Sequence, residues 1–370
     1  MEDGIDRRHL LLGAGGAALM AGVAPARSAA QAPSRKLGYA MVGLGNYATN
    51  IIMPQFANCQ HSQVTALVSG TPEKLRKFGA QYGVPDRSQY NYQNFDKIRD
   101  NPDVDIVYVV LPNSMHAEYT IRAAQAGKHV MCEKPMANSV AECEAMIAAC
   151  KKAGKKLMIG YRCHFEAHNL YAIELVKQGR IGKPRTVQSE HGFSIQPGVW
   201  RLNKALAGGG SMMDIGIYSL NAMRYMTGEE PTSVNARWST DRTDPRFSEV
   251  EDRILWTLTF PSGVIGNGVS SYSSGHNHIR ITGDKGWIDI EPGTPYDGHR
   301  MKVGSYYNGD PVEPPPGPGV NQFVGQLDHL SQCIKENRDN RAAGEEGLRD
   351  IRIIMAMYQS AADNGRTIQL

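Results

Sequence analysis

The stretch LGYAMVGLGNYA, residues 37–48, decides how the first half of the chain folds. Its first six residues form an apolar run, and the turn after them has glycine at positions 43 and 45 and alanine at 48. In a dinucleotide-binding turn, Gly43 permits the tight turn, Gly45 lets a pyrophosphate approach the backbone, and Ala48 lets the next helix pack on its strand. The alternative is an ordinary glycine turn, since the chain has 39 glycines.

Alternation of strand-like and helical segments continues to about residue 160, and this is the context that the motif requires. The later strand-like runs span residues 64–68, 105–111, 129–132 and 157–160. The series predicts an α/β fold that begins with a doubly wound Rossmann domain over residues 31–160. Its predicted cofactor-binding residues in the glycine turn are Gly43, Leu44, Gly45, Asn46 and Tyr47, with the pyrophosphate on free N–H groups at the helix N-terminus.

The end of the second strand favours NADP over NAD. About 20 residues past the glycine motif, NAD enzymes usually carry an Asp or Glu that binds the ribose hydroxyls. Here Ser69 and Gly70 stand in that place, followed by Thr71, Lys74 and Arg76. A hydroxyl, free amides and cations would hold a 2′-phosphate that a carboxylate would repel. The alternative is a plain helix start with a solvated basic face.

Three further strands end in polar segments that line the predicted ligand crevice. Residues just past the carboxyl ends of parallel strands face the ligand in doubly wound sheets. The predicted cofactor-binding residues in these segments are Pro112, Asn113, His116, Glu133, Lys134 and Arg162. His116 is equally compatible with a ribose contact and with a structural role.

The first thirty residues have the layout of a cleaved export signal. Arg7 and Arg8 precede a weakly apolar stretch to residue 23, and small residues follow to Ala30. The paired arginines are typical of the twin-arginine route, which exports folded proteins. We expect residues 1–30 to be removed and the protein to be periplasmic; the alternative is an N-terminal arm on a cytosolic enzyme. The apolar stretch lacks the ~18 consecutive residues of a membrane anchor.

Length, charge and cysteine content argue against several classes of protein. A chain of 370 residues favours two domains, and a net charge of +3 with 21% charged residues argues against a nucleic-acid partner. The six cysteines show no spacing typical of metal ligands, and Cys143 and Cys150 share one helical stretch. We therefore expect neither disulfides nor a metal site.

Residues 161–370 predict an α+β domain with a large open, mostly antiparallel sheet. Strand-like segments span residues 186–193, 233–239, 250–260, 264–274, 279–290 and 301–307. Helical patterns cover residues 165–178, 211–226, 321–336 and 343–361. The proline-rich residues 311–318 predict a loop.

Several motifs together resemble one enzyme family. They are GLGNYA (43–48), PNSMHAEY (112–119), EKP (133–135), YRCHF (161–165) and GGGSMMDIGIY (208–218). This set resembles the Gfo/Idh/MocA oxidoreductases, and within them the glucose-fructose and exported aldose-aldose types. The resemblance implies that the open sheet mediates a homodimer and that the substrates are small sugars.

The resemblance and the residue spacing point to Lys134, Asp214 and Tyr218 as the catalytic group. Asp214 and Tyr218 are four residues apart on one predicted helix, so both side chains face one spot. Many family members have His where this chain has Tyr218. A tyrosine with an ordinary pKa near 10 needs a cation such as Lys134 to act as a base. The alternative is that Tyr218 is a core aromatic and Lys134 a surface charge.

Substrate contacts are predicted for Lys134, Asp214 and Tyr218. Four further residues are candidates because of the chemistry of their side chains. Aromatic rings stack on sugar faces and arginines donate to hydroxyls, so the further candidates are Tyr161, Arg162, Trp200 and Arg201. The sequence assigns no role to His164 or His191.

The function that the sequence favours is an NADP-dependent sugar oxidoreductase with a tightly bound cofactor. An exported enzyme has no free NADP to recharge it, so the redox cycle must close on the protein. One aldose would be oxidised to its lactone and a second sugar reduced to an alditol in a ping-pong cycle. The alternatives are a sugar or inositol dehydrogenase with exchangeable NADP, an NAD-dependent redox-neutral glycosidase, and a non-enzymatic sensor.

Overall fold

The structure is a computed structural model that describes residues 35–307, 311–313 and 321–370. The predicted export signal and most of the predicted proline-rich loop lie outside the described residues. The described part contains two sheets, each flanked by helices.

The first sheet is the predicted doubly wound sheet. Its six strands are parallel and lie in the order β3-β2-β1-β4-β5-β6. They are β1 Leu37–Val42, β2 Ser62–Val68, β3 Gln89–Tyr90, β4 Ile106–Val109, β5 His129–Cys132 and β6 Leu157–Ile159. The chain reverses direction across the sheet between β1 and β4, and this is where ligands bind in such folds. The fold prediction is therefore confirmed for this half.

Three helices connect strands of this sheet: α1 Pro72–Tyr82, α2 His116–Gln125 and α3 Val140–Lys152. The start of α3 shows how the sequence sets such a boundary. The Ser139 hydroxyl accepts the Glu142 N–H at 3.3 Å, and the Glu142 carboxylate accepts the Asn138 N–H at 3.1 Å. The first bond satisfies the Glu142 N–H, which the first helical turn leaves free, and the second fixes the chain just before the helix.

The turn after β1 requires glycine at its first position. Gly43 has a φ of +93°, and a Cβ there would lie 2.3 Å from the carbonyl oxygen of Val110. The segment that follows is a π-helical turn, Tyr47–Ile52, and a 3₁₀-helix, Met53–Asn58, instead of the regular helix expected. Pro54 explains the difference, because it has no N–H to continue an α-helical ladder.

The second sheet has eight strands in the order β13-β12-β11-β7-β10-β9-β8-β14. Among the described residues β7 and β10 pair in parallel and the other pairs are antiparallel, which confirms the predicted mostly antiparallel sheet. The strands are β7 Pro184–Gly192, β8 Ser233–Ser239, β9 Arg253–Thr259, β10 Ile265–Ser271, β11 His276–Gly283, β12 Gly286–Ile290, β13 Met301–Ser305 and β14 Ile368–Gln369. The single strand predicted over residues 279–290 was wrong, because Asp284 and Lys285 form a hairpin turn between β11 and β12.

The described residues contain five further α-helices: α4 Ala167–Lys177, α5 Lys204–Ala207, α6 Ile217–Thr227, α7 Gln322–Lys335 and α8 Gly344–Ala362. Helix α7 packs on the first sheet, although it lies far along the chain. The Tyr39 hydroxyl donates to the Leu327 carbonyl at 2.8 Å, and the Ser62 and Ser331 hydroxyls are 2.8 Å apart. Residues 35–370 accordingly form one compact unit, and the predicted boundary at residue 160 stays a prediction.

Neither a disulfide nor a membrane-spanning helix occurs among the described residues. All six cysteines are buried free thiols, as expected from their spacing. Each described helix is too short or too polar to cross a bilayer.

Candidate active site

The loops after β4 and β5 are joined by His116. Its Nδ1 lies 2.9 Å from the Pro135 carbonyl oxygen and its Nε2 2.9 Å from that of Leu111. The ring is fully buried, and burial lowers the pKa of His116 despite these bonds. Both ring nitrogens are engaged, so the geometry favours the structural role over the ribose contact. Asn113 has a similar linking role, since its amide donates to the Ala207 carbonyl at 2.9 Å.

Glu133 lies beneath the same edge of the sheet. Its carboxylate accepts a hydrogen bond from the buried Tyr108 hydroxyl. Burial raises the pKa of Glu133, although Tyr108, Lys134 and Arg162 oppose the effect. A Cβ on Gly160 would lie 2.8 Å from this carboxylate, so glycine is needed where β6 ends.

Lys134 and Asp214 form the polar centre of the site. The Lys134 Nζ donates to the Asp214 carbonyl at 2.5 Å and lies 3.5 Å from its Oδ1. Arg201 contacts the same Oδ1 at 3.0 Å, and the Tyr272 hydroxyl donates to Oδ2 at 3.0 Å. Burial alone would raise the pKa of Asp214, but Arg201 and Lys134 outweigh it and lower the pKa to about 2. Asp214 is therefore ionised at any pH near neutral.

Tyr218 lies close to two cations. The Lys134 Nζ is 4.5 Å from the centre of its ring, and the Arg162 guanidinium carbon is 4.8 Å from it. The structure thus brings Lys134, Asp214 and Tyr218 together, as the sequence predicts; their catalytic roles stay a prediction.

The segment that carries Asp214 and Tyr218 is not the single regular helix expected. Asp214 lies on a π-helical turn, Met212–Gly216, and Tyr218 lies on α6. Ser211 occupies the N-cap position of this turn but makes no capping hydrogen bond, and its hydroxyl lies 3.0 Å from that of Ser270. The π turn changes the spacing of side chains, but both residues still face Lys134.

Glu251 provides the cap that Ser211 does not. Its carboxylate accepts the N–H groups of Gly210 at 2.7 Å and Met212 at 3.0 Å. The Tyr358 hydroxyl donates to the same carboxylate at 2.8 Å. A Cβ on Gly210 would lie 2.1 Å from the Glu251 carbonyl oxygen. This glycine therefore makes room for the Glu251 backbone.

Arg162 is buried and fastens one wall of the site. It donates to Gln322 Oε1 at 2.7 Å and to the carbonyl oxygens of Pro295 at 2.9 Å and Thr294 at 2.6 Å. Its Nε is buried without a hydrogen-bond partner among the described residues. The guanidinium also lies 4.9 Å from the ring of Tyr296. Arg162 therefore joins α7 and the loop after β12 to the face of Tyr218.

Tyr161 is a correction to the predicted substrate contacts. Its ring is 2% exposed, and its hydroxyl donates to Asp350 Oδ2 at 2.6 Å. It belongs to a buried network with Arg224, which lies below the site and includes the neighbouring ring of His164. Its position right after β6 pointed to the crevice, but its side chain faces the core.

Trp200 and Arg201 lie at the open side of the site. The Arg201 guanidinium carbon is 4.7 Å from the centre of the Trp200 ring, and Arg201 pairs with Asp214. Both residues are half-buried. They therefore stay candidates for sugar contacts.

Two groups at the site were not assigned from the sequence, His191 and Tyr272. The ring of His191 is 5.6 Å from that of Tyr218, and its Nδ1 is 3.0 Å from the Thr294 hydroxyl. Burial, with Lys134 and Arg162 adding to it, lowers the pKa of His191 to about 4, so the ring is neutral. The only sequence signal for His191 was its place near the end of a predicted strand.

The glycine turn has an open side, with a hydroxyl and a cation nearby. A Cβ on Gly45 would meet no atom within 4 Å, so this side of the turn is open. Lys74 donates to the Leu44 carbonyl at 2.9 Å, and the buried Ser69 hydroxyl accepts the Thr71 N–H at 3.1 Å. A hydroxyl and a cation thus lie at the end of β2, where NAD enzymes carry a carboxylate.

The remaining predicted cofactor residues surround this turn. Asn46 Oδ1 accepts the Asn50 amide at 2.6 Å, and the Tyr47 ring is 6.2 Å from that of Tyr296. Pro112 follows β4 and precedes Asn113 at the same edge of the sheet. The location of these residues agrees with the predicted cofactor site, and their binding role stays a prediction.

Comparison with solved structures shows close relatives of this fold. The crystal structure of an aldose-aldose oxidoreductase from Caulobacter crescentus, complexed with glycerol, is 61% identical, with a TM-score of 0.89. The match covers 91% of this chain and 100% of that one. A levoglucosan dehydrogenase in complex with NADH and levoglucosan is 21% identical with a TM-score of 0.79, over 90% of this chain and 99% of that one, and shares the fold.

Sequence comparison agrees. A D-xylose 1-dehydrogenase, NADP(+), from Haloarcula marismortui is 30% identical over 340 residues, which are 90% of this chain and 92% of the relative. Residues 37–161 match the oxidoreductase family with an NAD-binding Rossmann fold, and residues 170–289 match the GFO/IDH/MocA C-terminal domain. The chain therefore belongs to the Gfo/Idh/MocA family of oxidoreductases.

Proposed function

We propose that this protein is an NADP-dependent sugar oxidoreductase that oxidises an aldose to its lactone and reduces a second sugar to an alditol. The observation that carries the proposal is that the Tyr218 ring centre lies within 5 Å of the Lys134 and Arg162 cations, while Lys134 also contacts the ionised Asp214. The relatives from Caulobacter crescentus and Haloarcula marismortui, whose names refer to aldoses and to xylose with NADP(+), support the same substrate class.

Gly43, Gly45, Ser69 and Lys74 would hold NADP. The open side of Gly45 and the absence of an acid at residues 69–70 support this choice. A bound nicotinamide would supply the hydride acceptor for the first sugar and the hydride donor for the second.

Tyr218 is the group that moves the proton. Its phenolate takes the proton of the anomeric hydroxyl of the first sugar, and its phenol later protonates the alkoxide of the second. Lys134 and Arg162 both place positive charge within 5 Å of the ring centre, so the ring lies in an electropositive part of the site.

Asp214 orients the sugar and does not exchange protons. With its pKa lowered to about 2 it is a weak base, and it stays ionised through the cycle. A fixed carboxylate accepts hydrogen bonds from sugar hydroxyls, while Arg201 at the open side donates to others. Trp200 would cover a sugar face.

The ping-pong cycle follows from the proposal that the protein is exported folded, with NADP already bound. Arg7 and Arg8 and the signal layout of residues 1–30 support a periplasmic location. Outside the cytosol no other enzyme recharges the cofactor. The second sugar therefore recharges the cofactor by accepting its hydride.

A homodimer is proposed through the open face of the second sheet. Leu255 is 49% exposed there, on β9, opposite Arg237 of the neighbouring strand β8. A cavity of about 310 Å³ lies on this face, between Glu190 and Arg237. Exposed apolar side chains on an extended sheet are typical of a protein–protein interface.

The test is an absorbance and fluorescence scan of purified, dialysed protein before and after addition of glucose or xylose, with no cofactor added. A reduced-nicotinamide signal should appear with the aldose and fade when a second sugar is added. A protein that dialyses free of nucleotide and turns over only with added NADP would instead be a dehydrogenase with exchangeable cofactor. The name of the Haloarcula marismortui relative favours that second candidate.

A further inference from the structure

The loop that holds Arg162 also takes part in a second cluster of titratable side chains. Glu166 precedes α4, His168 lies in its first turn, and His299 lies between β12 and β13. The His168 Nδ1 is 2.9 Å from Glu166 Oε1, and the His299 Nδ1 is 3.5 Å from the same oxygen. One ligand atom from each residue lies within 4.8 Å of the other two. Two imidazoles thus converge on one carboxylate oxygen.

Glu166 is held so that this oxygen faces the histidines. Its other oxygen, Oε2, accepts both the backbone N–H and the side-chain amide of Asn169, each at 2.8 Å. Hydrogen bonds of this kind orient the ligands of metal sites, and they are as important for affinity as the ligands' own positions. The Glu166 side chain is only 7% exposed, so its charge needs a cation nearby.

His299 lies deep in this cluster. Its side chain is 3% exposed, and its Nε2 is buried without a hydrogen-bond partner among the described residues. The polar contact that fixes the ring is therefore the one toward Glu166. Imidazole nitrogen and carboxylate oxygen are both common ligands of Zn²⁺.

We propose that Glu166, His168 and His299 bind a divalent transition-metal ion, with Zn²⁺ as the best fit. Bond lengths of 2.0–2.2 Å place tetrahedral ligand atoms about 3.3 Å apart, and the observed separations of 2.9 and 3.5 Å lie on either side of that value. Two nitrogens and one oxygen suit Zn²⁺, whereas Mg²⁺ and Ca²⁺ prefer oxygen ligands. His168 is 17% exposed, which leaves an entry path and a fourth position for water.

The metal would brace one wall of the sugar site. It joins the start of α4 to the loop between β12 and β13, and the same loop presents the Thr294 and Pro295 carbonyls that hold Arg162. The ion is structural in this role and takes no part in proton or hydride transfer. The inference therefore does not depend on the proposed function, and it replaces the expectation from the sequence that there is no metal site.

Zinc content and cobalt spectroscopy of the full chain test the proposal. The protein is treated with a chelator, exchanged into Zn²⁺ or Co²⁺, and freed of unbound metal. We expect about one ion per chain, a visible Co²⁺ absorption typical of a four-coordinate site, and a higher melting temperature with Zn²⁺. His299→Gln and His168→Gln should each lose the ion and the thermal shift. His61→Gln is the control, because His61 is half-buried and contributes no ligand atom to the cluster.

Equal metal content in the wild type and in His168→Gln would overturn the proposal, as would a melting temperature of the wild type that Zn²⁺ does not change. His168 is the more exposed of the two histidines, so its variant should fold even where His299→Gln does not. Loss of the cobalt spectrum in His61→Gln would likewise contradict the assignment to Glu166, His168 and His299. The readouts are independent of sugar turnover, so a failed activity assay leaves this test intact.

Discussion

The half-buried Asp214 and the buried Asp350 have similar partners and opposite pKa shifts. Asp214 contacts Arg201 and Tyr272, and Asp350 contacts Arg224 and accepts the Tyr161 hydroxyl. The pKa of Asp214 is lowered to about 2, whereas that of Asp350 is raised to about 6.

The charges around each aspartate explain the difference. Asp350 is 0% exposed, and this burial raises its pKa. The nearby Glu346 also contacts Arg224, and its negative charge raises the pKa of Asp350 further. Asp214 is 15% exposed and has a second cation, Lys134, in place of a second acid. An arginine and a tyrosine are therefore not enough to fix a charge state, because the next charged neighbour decides it. One cluster keeps an ionised carboxylate at the candidate site, and the other ties α6 to α8.

The largest expected effect is on the chemistry next to Asp214. Tyr218→Phe removes the hydroxyl that moves the proton and keeps the ring close to Lys134 and Arg162. We expect kcat to fall about 10²- to 10⁴-fold with little change in melting temperature, because one general acid–base group is lost. Turnover with two sugars and thermal unfolding measure the two quantities. Tyr161→Phe is the matched control, since that hydroxyl serves Asp350, and it should lower stability more than turnover. Full activity in Tyr218→Phe would contradict the mechanism.

The next effect is on stability, and it separates the Asp350 cluster from the site. Arg224→Met leaves Asp350 and Glu346 without the cation that both contact at 2.6–2.7 Å. Breaking a buried pair in this way costs about 3–5 kcal/mol of unfolding free energy. Denaturant unfolding measures it. Arg352→Met is the control, because Arg352 and Glu144 form an exposed pair worth about 1 kcal/mol or less. Equal losses in the two variants would show that burial of Asp350 does not matter.

A smaller effect is expected from removing the charge of Asp214 itself. Asp214→Asn keeps the shape of the side chain but leaves Lys134 and Arg201 with less compensation. We expect KM for the first sugar to rise about 10- to 100-fold, since a charge-assisted hydrogen bond is lost, which contributes about 1.5–3 kcal/mol. The proton-transfer group remains, so kcat should change less than in Tyr218→Phe. Steady-state kinetics at saturating second sugar separates KM from kcat, and an unchanged KM would exclude a substrate contact.

The sequence predicted most of the first sheet and the location of the site, because both depend on local signals. β1 and β5 begin and end where the apolar runs predict, and Lys134, Asp214 and Tyr218 converge as expected. The predictions that failed concern contacts between distant parts of the chain. Tyr161 follows β6 and yet faces Asp350, which lies 189 residues further on.

The same reason explains the groups that the sequence did not predict. Glu251 replaces Ser211 as the cap only because the fold brings β9 to the start of the π turn. Six strands of the second sheet, β7 to β12, lie between Glu166 and His299 in the sequence, so no spacing rule could have found that pair. Local sequence patterns carry no information about which distant residue will contact a given side chain or helix end.

The smallest effect is a difference in how the two aspartates respond to pH. The folded chain holds the Asp350 proton to about pH 6, above the ordinary pKa near 3.9, so this group's stabilisation is full below about pH 4 and is lost as pH rises to 6. Asp214 has the opposite sign, because its stabilisation is present above pH 4 and is lost as pH falls toward 2. One proton sets a slope of at most about 1.4 kcal/mol per pH unit.

Urea unfolding between pH 4 and 6 measures this slope. Asp350→Asn should remove part of the decrease in stability with rising pH in that window, whereas Asp214→Asn should run parallel to the wild type. Between pH 3 and 4 the order reverses, and Asp214→Asn should lose less stability on acidification than the wild type. Parallel curves for Asp350→Asn and the wild type from pH 4 to 6 would mean that Arg224 outweighs burial and Glu346, and that the two aspartates are alike in charge after all.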